Sequence, residues 1–189
     1  SGKSVEIIKN RKENIKFSCG VSINNLSLNE NDIGDFRTFL KLSPPLRTEE
    51  DRLSLVKGIS DGVIDVIVSD HKPEDEEKKR LTFAQAETGA SGIETLLPLS
   101  LELYHNGSVK LDTIVKALTS NPAKILKINK GNLSVGSDAD FCIVDLNKPW
   151  IVKKENLYSK SKNTSIENKK LQGKVINTFV KGEELFKLH

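Results

Sequence analysis

An α/β fold with a parallel sheet is expected from three features of the sequence. Helical and strand-like patterns alternate through roughly the first 130 residues. The run "VIDVIV" (63–68) is nearly all apolar, as in strands covered on both faces. From about residue 131 the texture changes to short strands broken by Gly and Asp turns. Alternation of this kind implies strands joined by crossover helices. Only two parallel-type strands are legible in the first part, and two strands make no stable sheet without partners. That count, the absence of methionine and an opening directly into helical sequence lead to the expectation of a processed product or a segment of a longer protein.

The elements follow in order. Residues 4–13 set Val5, Ile7 and Ile8 among charges, which suits a short amphipathic helix. "IKFSCGVSI" (15–23) is rich in β-formers and reads as a strand. "SLNENDIGDF" (27–36) reads as a helical turn capped by Ser27. Pro44 and Pro45 bar "LKLSPPLR" from a helix interior and hold Ser43 extended. Thr48 opens a helix, with "TEED" as a capping box and Leu53, Leu55, Val56 and Ile59 as apolar positions. Asp61-Gly62 turns the chain into the strand 63–68. "EDEEKKR" has acids before bases at helical spacing and reads as a solvated loop or helix face.

"GASGIETLLPLSLELYHNG" (89–107) predicts a helix that stops at Asn106-Gly107, with a kink or break at Pro98. Two short helices are expected in 110–126, the second starting at Asn121 with Pro122 at its first position. "GNLSVGSDADFCIVDLNKPWIV" and "KLQGKVINTFVKGEELF" read as strands, and the Lys/Asn/Ser-rich 153–170 between them as a solvated loop.

Composition excludes more than it selects. The chain has 189 residues and a net charge of +3 from 29 basic and 26 acidic side chains, a near balance that points to neither nucleic acid nor a membrane surface. It has no apolar run of membrane-spanning length and no signal-peptide pattern. Cys19 and Cys142 form no CxxC pair, which fits a reducing, cytoplasmic setting.

In parallel α/β architectures functional side chains lie just past the carboxyl ends of strands. Asp70 sits there, where a carboxylate can ligate a cation or accept a proton from water, or can simply cap a turn. Position alone leaves both open. His71 reads equally as a structural histidine. The amides of "GASG" could receive an anionic group at a helix start. His71, His105 and His189 are the only histidines, with no HxH or HExxH, so this stretch by itself shows no complete transition-metal site.

In combination these pieces resemble the C-terminal half of dihydroorotases, within the amidohydrolase superfamily. "LKLSPPLRTEEDRLSLVKGISDGVIDVIVSDHKP" is similar to a family stretch running from an Asn-Pro-Pro-Leu-Arg loop to a strand ending Thr-Asp-His-Ala-Pro-His. "GASGIETLLPL" is similar to the Gly-x-x-Gly-Leu-Glu-Thr segment that follows, and "LSVGSDADFCIVDLNKPW" and "LQGKVINTFVKGEELF" to the family's tail strands. The Pro-Pro-Leu-Arg and Asp-His-x-Pro pieces occur also in hydantoinase and allantoinase relatives.

The resemblance implies a C-terminal part of a TIM (β/α)8 barrel over 1–130, followed over 131–189 by strands completing a small composite β-domain. It implies a binuclear zinc site whose other ligands lie upstream, the last of them just before Ser1. Asp70 matches an aspartate that ligates zinc and acts as general base and acid. Ser43 matches a substrate-binding asparagine, Glu74 a substrate-binding histidine, and Gly89 a glycine whose backbone holds the substrate ring. Asn24 and Asn25 stand where a His-His pair is common. The implied reaction is the reversible cyclisation of N-carbamoyl-L-aspartate to L-dihydroorotate in pyrimidine biosynthesis. The implied partners are the missing N-terminal half of the barrel, a second copy in a homodimer or larger assembly, and aspartate carbamoyltransferase. A non-catalytic subunit scaffolding that transferase, or another cyclic amidohydrolase, is the alternative.

Overall fold

The computed structural model describes residues 1–188; His189 lies outside the described residues. Helix α1 (Gly2–Lys12) starts on a Ser1 cap and leads by an exposed linker to β1 (Gly20–Ser22). A short helix α2 (Ile23–Ser27) follows, then single 3-10 turns at Glu30–Ile33 and Thr38–Leu40. Next come α3 (Glu49–Ser60), β2 (Val66–Val68) and the one-turn α4 (Glu76–Lys79). Helices α5 (Leu96–His105), α6 (Leu111–Leu118) and α7 (Ser120–Leu126) precede the tail. The tail contains β3 (Phe141–Ile151), a 3-10 turn at Lys154–Asn156, β4 (Lys170–Val180) and β5 (Glu183–Lys187).

The architecture is mixed α/β, as expected. Strands β1 and β2 pair in parallel, Val21 opposite Ile67, with α3 as the crossover. Asp65 locks their entry, because its carboxylate receives both the Lys12 ammonium at 2.7 Å and the Cys19 N–H at 2.8 Å. The strand expected over 15–23 is only three residues long. Ile15 and Phe17 are half exposed because no neighbouring strand covers them among the described residues, and Ser22 turns the chain into α2 by capping Asn24 N–H. The turn expected from Ser27 starts instead at Asn29, which forms the capping box with Asp32. Ser27 is the last residue of α2.

Thr48 caps α3 by accepting from Asp51 N–H at 3.2 Å. The other half of the expected box is missing, since Asp51 spends its carboxylate on Gly2 N–H at 2.6 Å, tying α1 to α3. Val56 and Ile59 are buried as expected, whereas Leu53 faces outward, 51% exposed. Gly62 closes the turn at φ +72°.

Helix α5 begins at Leu96, seven residues later than the pattern suggested. Pro98 causes no break, because at the third helical position its missing N–H is one of the donors that has no intrahelical partner anyway. Helix α7 begins at Ser120 rather than Asn121, and the Asn121 amide reaches back to Asp65 O at 2.8 Å.

In the tail, β3, β4 and β5 form an antiparallel sheet in sequence order. A bulge between Asp145 and Pro149 arises where the Asp145 carboxylate accepts from the amides of Asn147 and Lys148. Lys181 and Gly182, both at positive φ, make the tight β4–β5 turn.

One continuous core spans both parts. Ile23, Leu26, Leu40, Ile59, Leu99 and Ile114 from the first part pack with Val152, Leu157, Ile166 and Leu171 from the β3–β4 connection and its ends. Each such fully buried aliphatic side chain stabilises the fold by roughly 1.5–3 kcal/mol. The segment 153–170 is solvated at 153–156, 158 and 160, as expected, but not at Leu157 or over 163–166. Asn163, Thr164 and Ser165 are almost fully buried, because Leu157 and Ile166 on either side anchor it in the core.

Candidate functional site

Strand β2 ends at Val68, and Asp70 follows two residues later, half-buried. Its φ is +49°, a left-handed conformation that costs a non-glycine residue roughly 1 kcal/mol or more and that aspartate tolerates better than most. The strand holds it from one side. From the other side His71 holds it, its Nδ1 accepting from Gly92 N–H at 3.1 Å and Ile93 N–H at 3.4 Å. Accepting at Nδ1 places the imidazole proton on Nε2. Asp70 opens on a cavity of about 470 Å³ with Ser22 from the end of β1, Asn25 from α2, Pro44 and Pro45 from the proline loop, and Ser1 and Ser4 at the start of α1.

The remaining expected residues sit differently. Ser43 is exposed, and its two following prolines, not Ser43 itself, line the Asp70 cavity. Asn25 donates to Pro45 O at 3.2 Å, joining α2 to the proline loop. Asn24 is buried and receives the Ser165 hydroxyl at 2.9 Å. Glu74 opens on a second cavity, about 950 Å³, with His71, Pro73, Ser161 and Asn163. Its carboxylate is no free anion, since Lys72 Nζ stands at 3.2 Å and Lys78 Nζ at 3.7 Å.

Gly89 is buried between these loops. Its N–H donates to Lys41 O at 2.9 Å and its carbonyl accepts from the Asn163 amide at 3.2 Å. At φ +126° it is a glycine position, and a Cβ there would come within 2.7 Å of Lys72 O. The "GASG" amides are consequently not open to an anion. Gly89 N–H serves Lys41 O, Ser91 N–H serves Asn163 O, and those of Gly92 and Ile93 serve His71. These residues lie beside the 70–74 loop, with Ala90 bridging to His71 in parallel, instead of opening a helix.

Two residues of the site had no local signal. Lys79, within the charged "EDEEKKR" run, is 1% exposed, so the solvated reading fails at that residue. Its ammonium donates to Glu87 O at 2.6 Å, Thr38 O at 3.2 Å and Lys41 O at 3.5 Å. It thereby knits the stretch leading to the proline loop, helix α4 and the approach to Gly89. Burial pushes its pKa down to about 8, more than the nearby Glu74 charge lifts it. The second residue is Asn163, which the polar composition of its segment concealed.

Among the described residues no group of three or more His, Cys, Asp or Glu side chains gathers that could hold a metal ion. Asp70 is a carboxylate placed just past the carboxyl end of a strand and open to a cavity, where it can serve as a single ligand. No helix among the described residues is long and apolar enough to cross a membrane.

Comparison with known proteins places these features in context. The amidohydrolase family model matches residues 2–185. A dihydroorotase of Ehrlichia canis (strain Jake) is 43% identical over 187 residues, covering 98% of this chain and 42% of that protein. A dihydroorotase of Aquifex aeolicus (strain VF5) is 40% identical over 186 residues, covering 97% of this chain and 44% of that protein. Among solved structures, the L-hydantoinase (dihydropyrimidinase) from Arthrobacter aurescens superposes with a TM-score of 0.93 at 29% identity, over 98% of this chain and 43% of that one. The chain thus spans about two-fifths of the length of the relatives it matches.

Proposed function

The chain belongs to the amidohydrolase family, and from that premise we propose that it is the C-terminal part of a dihydroorotase acting on N-carbamoyl-L-aspartate and L-dihydroorotate. Dihydroorotases 37–43% identical to nearly the whole chain support this reading. In it, residues 1–130 are the last β/α units of a TIM barrel, and 131–189 complete a small β-domain with strands from elsewhere. The three-residue β1 and β2, which pair only with each other among the described residues, suit strands that gain neighbours from the rest of the protein.

The observation that carries the chemistry is Asp70, left-handed, past the end of β2 and open to a cavity. It is proposed as general base and acid, moving a proton to the ring amide nitrogen on opening and taking it back on closure. A zinc pair, ligated by Asp70 and otherwise by residues outside this chain, would supply an activated hydroxide and polarise the ring carbonyl. His71 keeps the Asp70 backbone in place through its two amide contacts. Glu74, in the neighbouring cavity that His71 also lines, and Gly89, whose N–H and carbonyl are bonded to Lys41 and Asn163, are proposed to border the substrate; Ser43, exposed and lining neither cavity, is the weakest of the assigned contacts.

The test is dihydroorotate hydrolysis by the full-length protein with zinc, comparing wild type with Asp70→Asn. The amide cannot accept the proton, so turnover should fall by roughly a hundred- to ten-thousand-fold while the fold persists. A variant matching wild type ends the catalytic assignment. Inactive wild type that binds and stabilises aspartate carbamoyltransferase replaces the enzyme with a scaffold.

A further inference from the structure

The loop after β2 and the loop before α5 meet directly through His71 and through the Lys72 N–H, which donates to Ala90 O, and one side chain from the β3–β4 connection adds a second tie at Glu74 and Gly89. Asn163 is 2% exposed. Its Oδ1 accepts from Glu74 N–H at 3.2 Å and lies 3.3 Å from the Ser91 hydroxyl, whose one proton it shares with Ser161 O at 3.0 Å, and its Nδ2 donates to Gly89 O at 3.2 Å. Its backbone carbonyl accepts from Ser91 N–H at 3.1 Å. The Ser161 hydroxyl lies between Asn163 Oδ1 and Glu74 O, its one proton serving either acceptor. One amide thus meets both residues proposed to border the substrate.

The segment that carries Asn163 is itself fixed. Leu157 and Ile166 bury themselves in the core on either side. Glu94 accepts from the amides of Tyr158 and Ser159, each at 3.0 Å, closing the segment onto the start of α5. A buried amide bonded through both its oxygen and its nitrogen strongly prefers one placement, since a shift would leave dry polar groups unpaired. Asp70 is held by other means, through β2 and His71, and among the described residues no hydrogen bond joins it to Asn163.

We propose that Asn163 is a positioning residue that sets the spacing between Glu74 and Gly89, so that the β3–β4 connection controls substrate affinity independently of proton transfer at Asp70. The proposal rests on the dihydroorotase reading for its substrate, and on the hydrogen bonds alone for the clamp.

The experiment uses the full-length protein with zinc and three forms: wild type, Asn163→Ala and Asn163→Asp. Two readouts are taken, steady-state dihydroorotate hydrolysis and amide hydrogen exchange over 72–76 and 88–93. Asn163→Ala should raise KM by about tenfold with kcat within about threefold, and speed exchange in both segments. Asn163→Asp keeps the acceptor for Glu74 N–H and loses the donor to Gly89 O. It should restore protection at 72–76 but not at 88–93, with a smaller rise in KM. Unchanged exchange in Asn163→Ala overturns the clamp. Faster exchange with unchanged KM leaves Asn163 merely structural and overturns the positioning role, as does an equal fall in kcat and kcat/KM. Wild type without turnover rejects the dihydroorotase reading and with it the affinity claim, while the exchange comparison still decides the clamp.

Discussion

Lys79 gives the sharpest test of the packing around the site. Its ammonium is buried among three backbone carbonyls with no carboxylate in hydrogen-bond contact. Replacing it with methionine keeps much of the stem but leaves Glu87 O without its donor, at about 1–3 kcal/mol for a dry group, while Thr38 O and Lys41 O keep the N–H groups of Lys41 and Gly89. Against that stands relief from burying a charge. The fall in pKa from 10.5 to about 8 corresponds to about 3 kcal/mol of destabilisation while the amine is charged in both folded and unfolded chains. Near neutral pH the two effects roughly cancel, and Lys79→Met should lie within about 2 kcal/mol of wild type. The pH dependence isolates the lysine. Between its folded and unfolded pKa the unfolded chain binds the extra proton, so wild-type stability rises with pH across that window. The stability gap, taken as wild type minus variant, should therefore rise by about 2 kcal/mol from about pH 7.5 to about pH 9.5. The assay is urea denaturation of the full-length protein and Lys79→Met at both pH values. A gap that stays constant or falls would mean that Lys79 carries no burial cost, and the account of its environment would fail.

Glu74→His removes an anion from the border of the proposed substrate site, but also frees Lys72 and Lys78, whose partly exposed pairs with it are worth about 1 kcal/mol or less. Tighter substrate binding, by up to about fivefold in KM, is expected in the full-length enzyme; an unchanged or higher KM counts against Glu74 as a repulsive contact. Gly89→Ala should destabilise by about 1–3 kcal/mol, because its φ of +126° and the Lys72 carbonyl leave no room for a Cβ; denaturant midpoints of the pair decide this. Residues 1–189 expressed alone should neither hydrolyse dihydroorotate nor hold two zinc ions, since a cluster of ligands does not assemble among the described residues. Turnover with two tightly held metals, by activity and metal analysis, would refute the segment reading.

Much of this was legible from local pattern because its causes are local. Thr48 caps α3 through its own side chain, Asp61-Gly62 ends that helix by a glycine's left-handed turn, and the apolar run ending before Asp70 places that residue past a strand. Each depends on neighbours within a few positions, so propensity and spacing suffice. The tail strands were visible for the same reason. What only the tertiary structure decided depends on partners far along the chain. The polar 153–170 segment reads as solvated until Glu74 and Gly89, 89 and 74 positions away from Asn163, supply its hydrogen bonds. Lys79 reads as a surface charge until carbonyls from Thr38 and Lys41 surround it. "GASG" reads as a helix start until His71 takes two of its neighbouring amides. A polar residue's burial is set by whether distant groups arrive to pair with it, and hydropathy along the chain carries no record of their arrival.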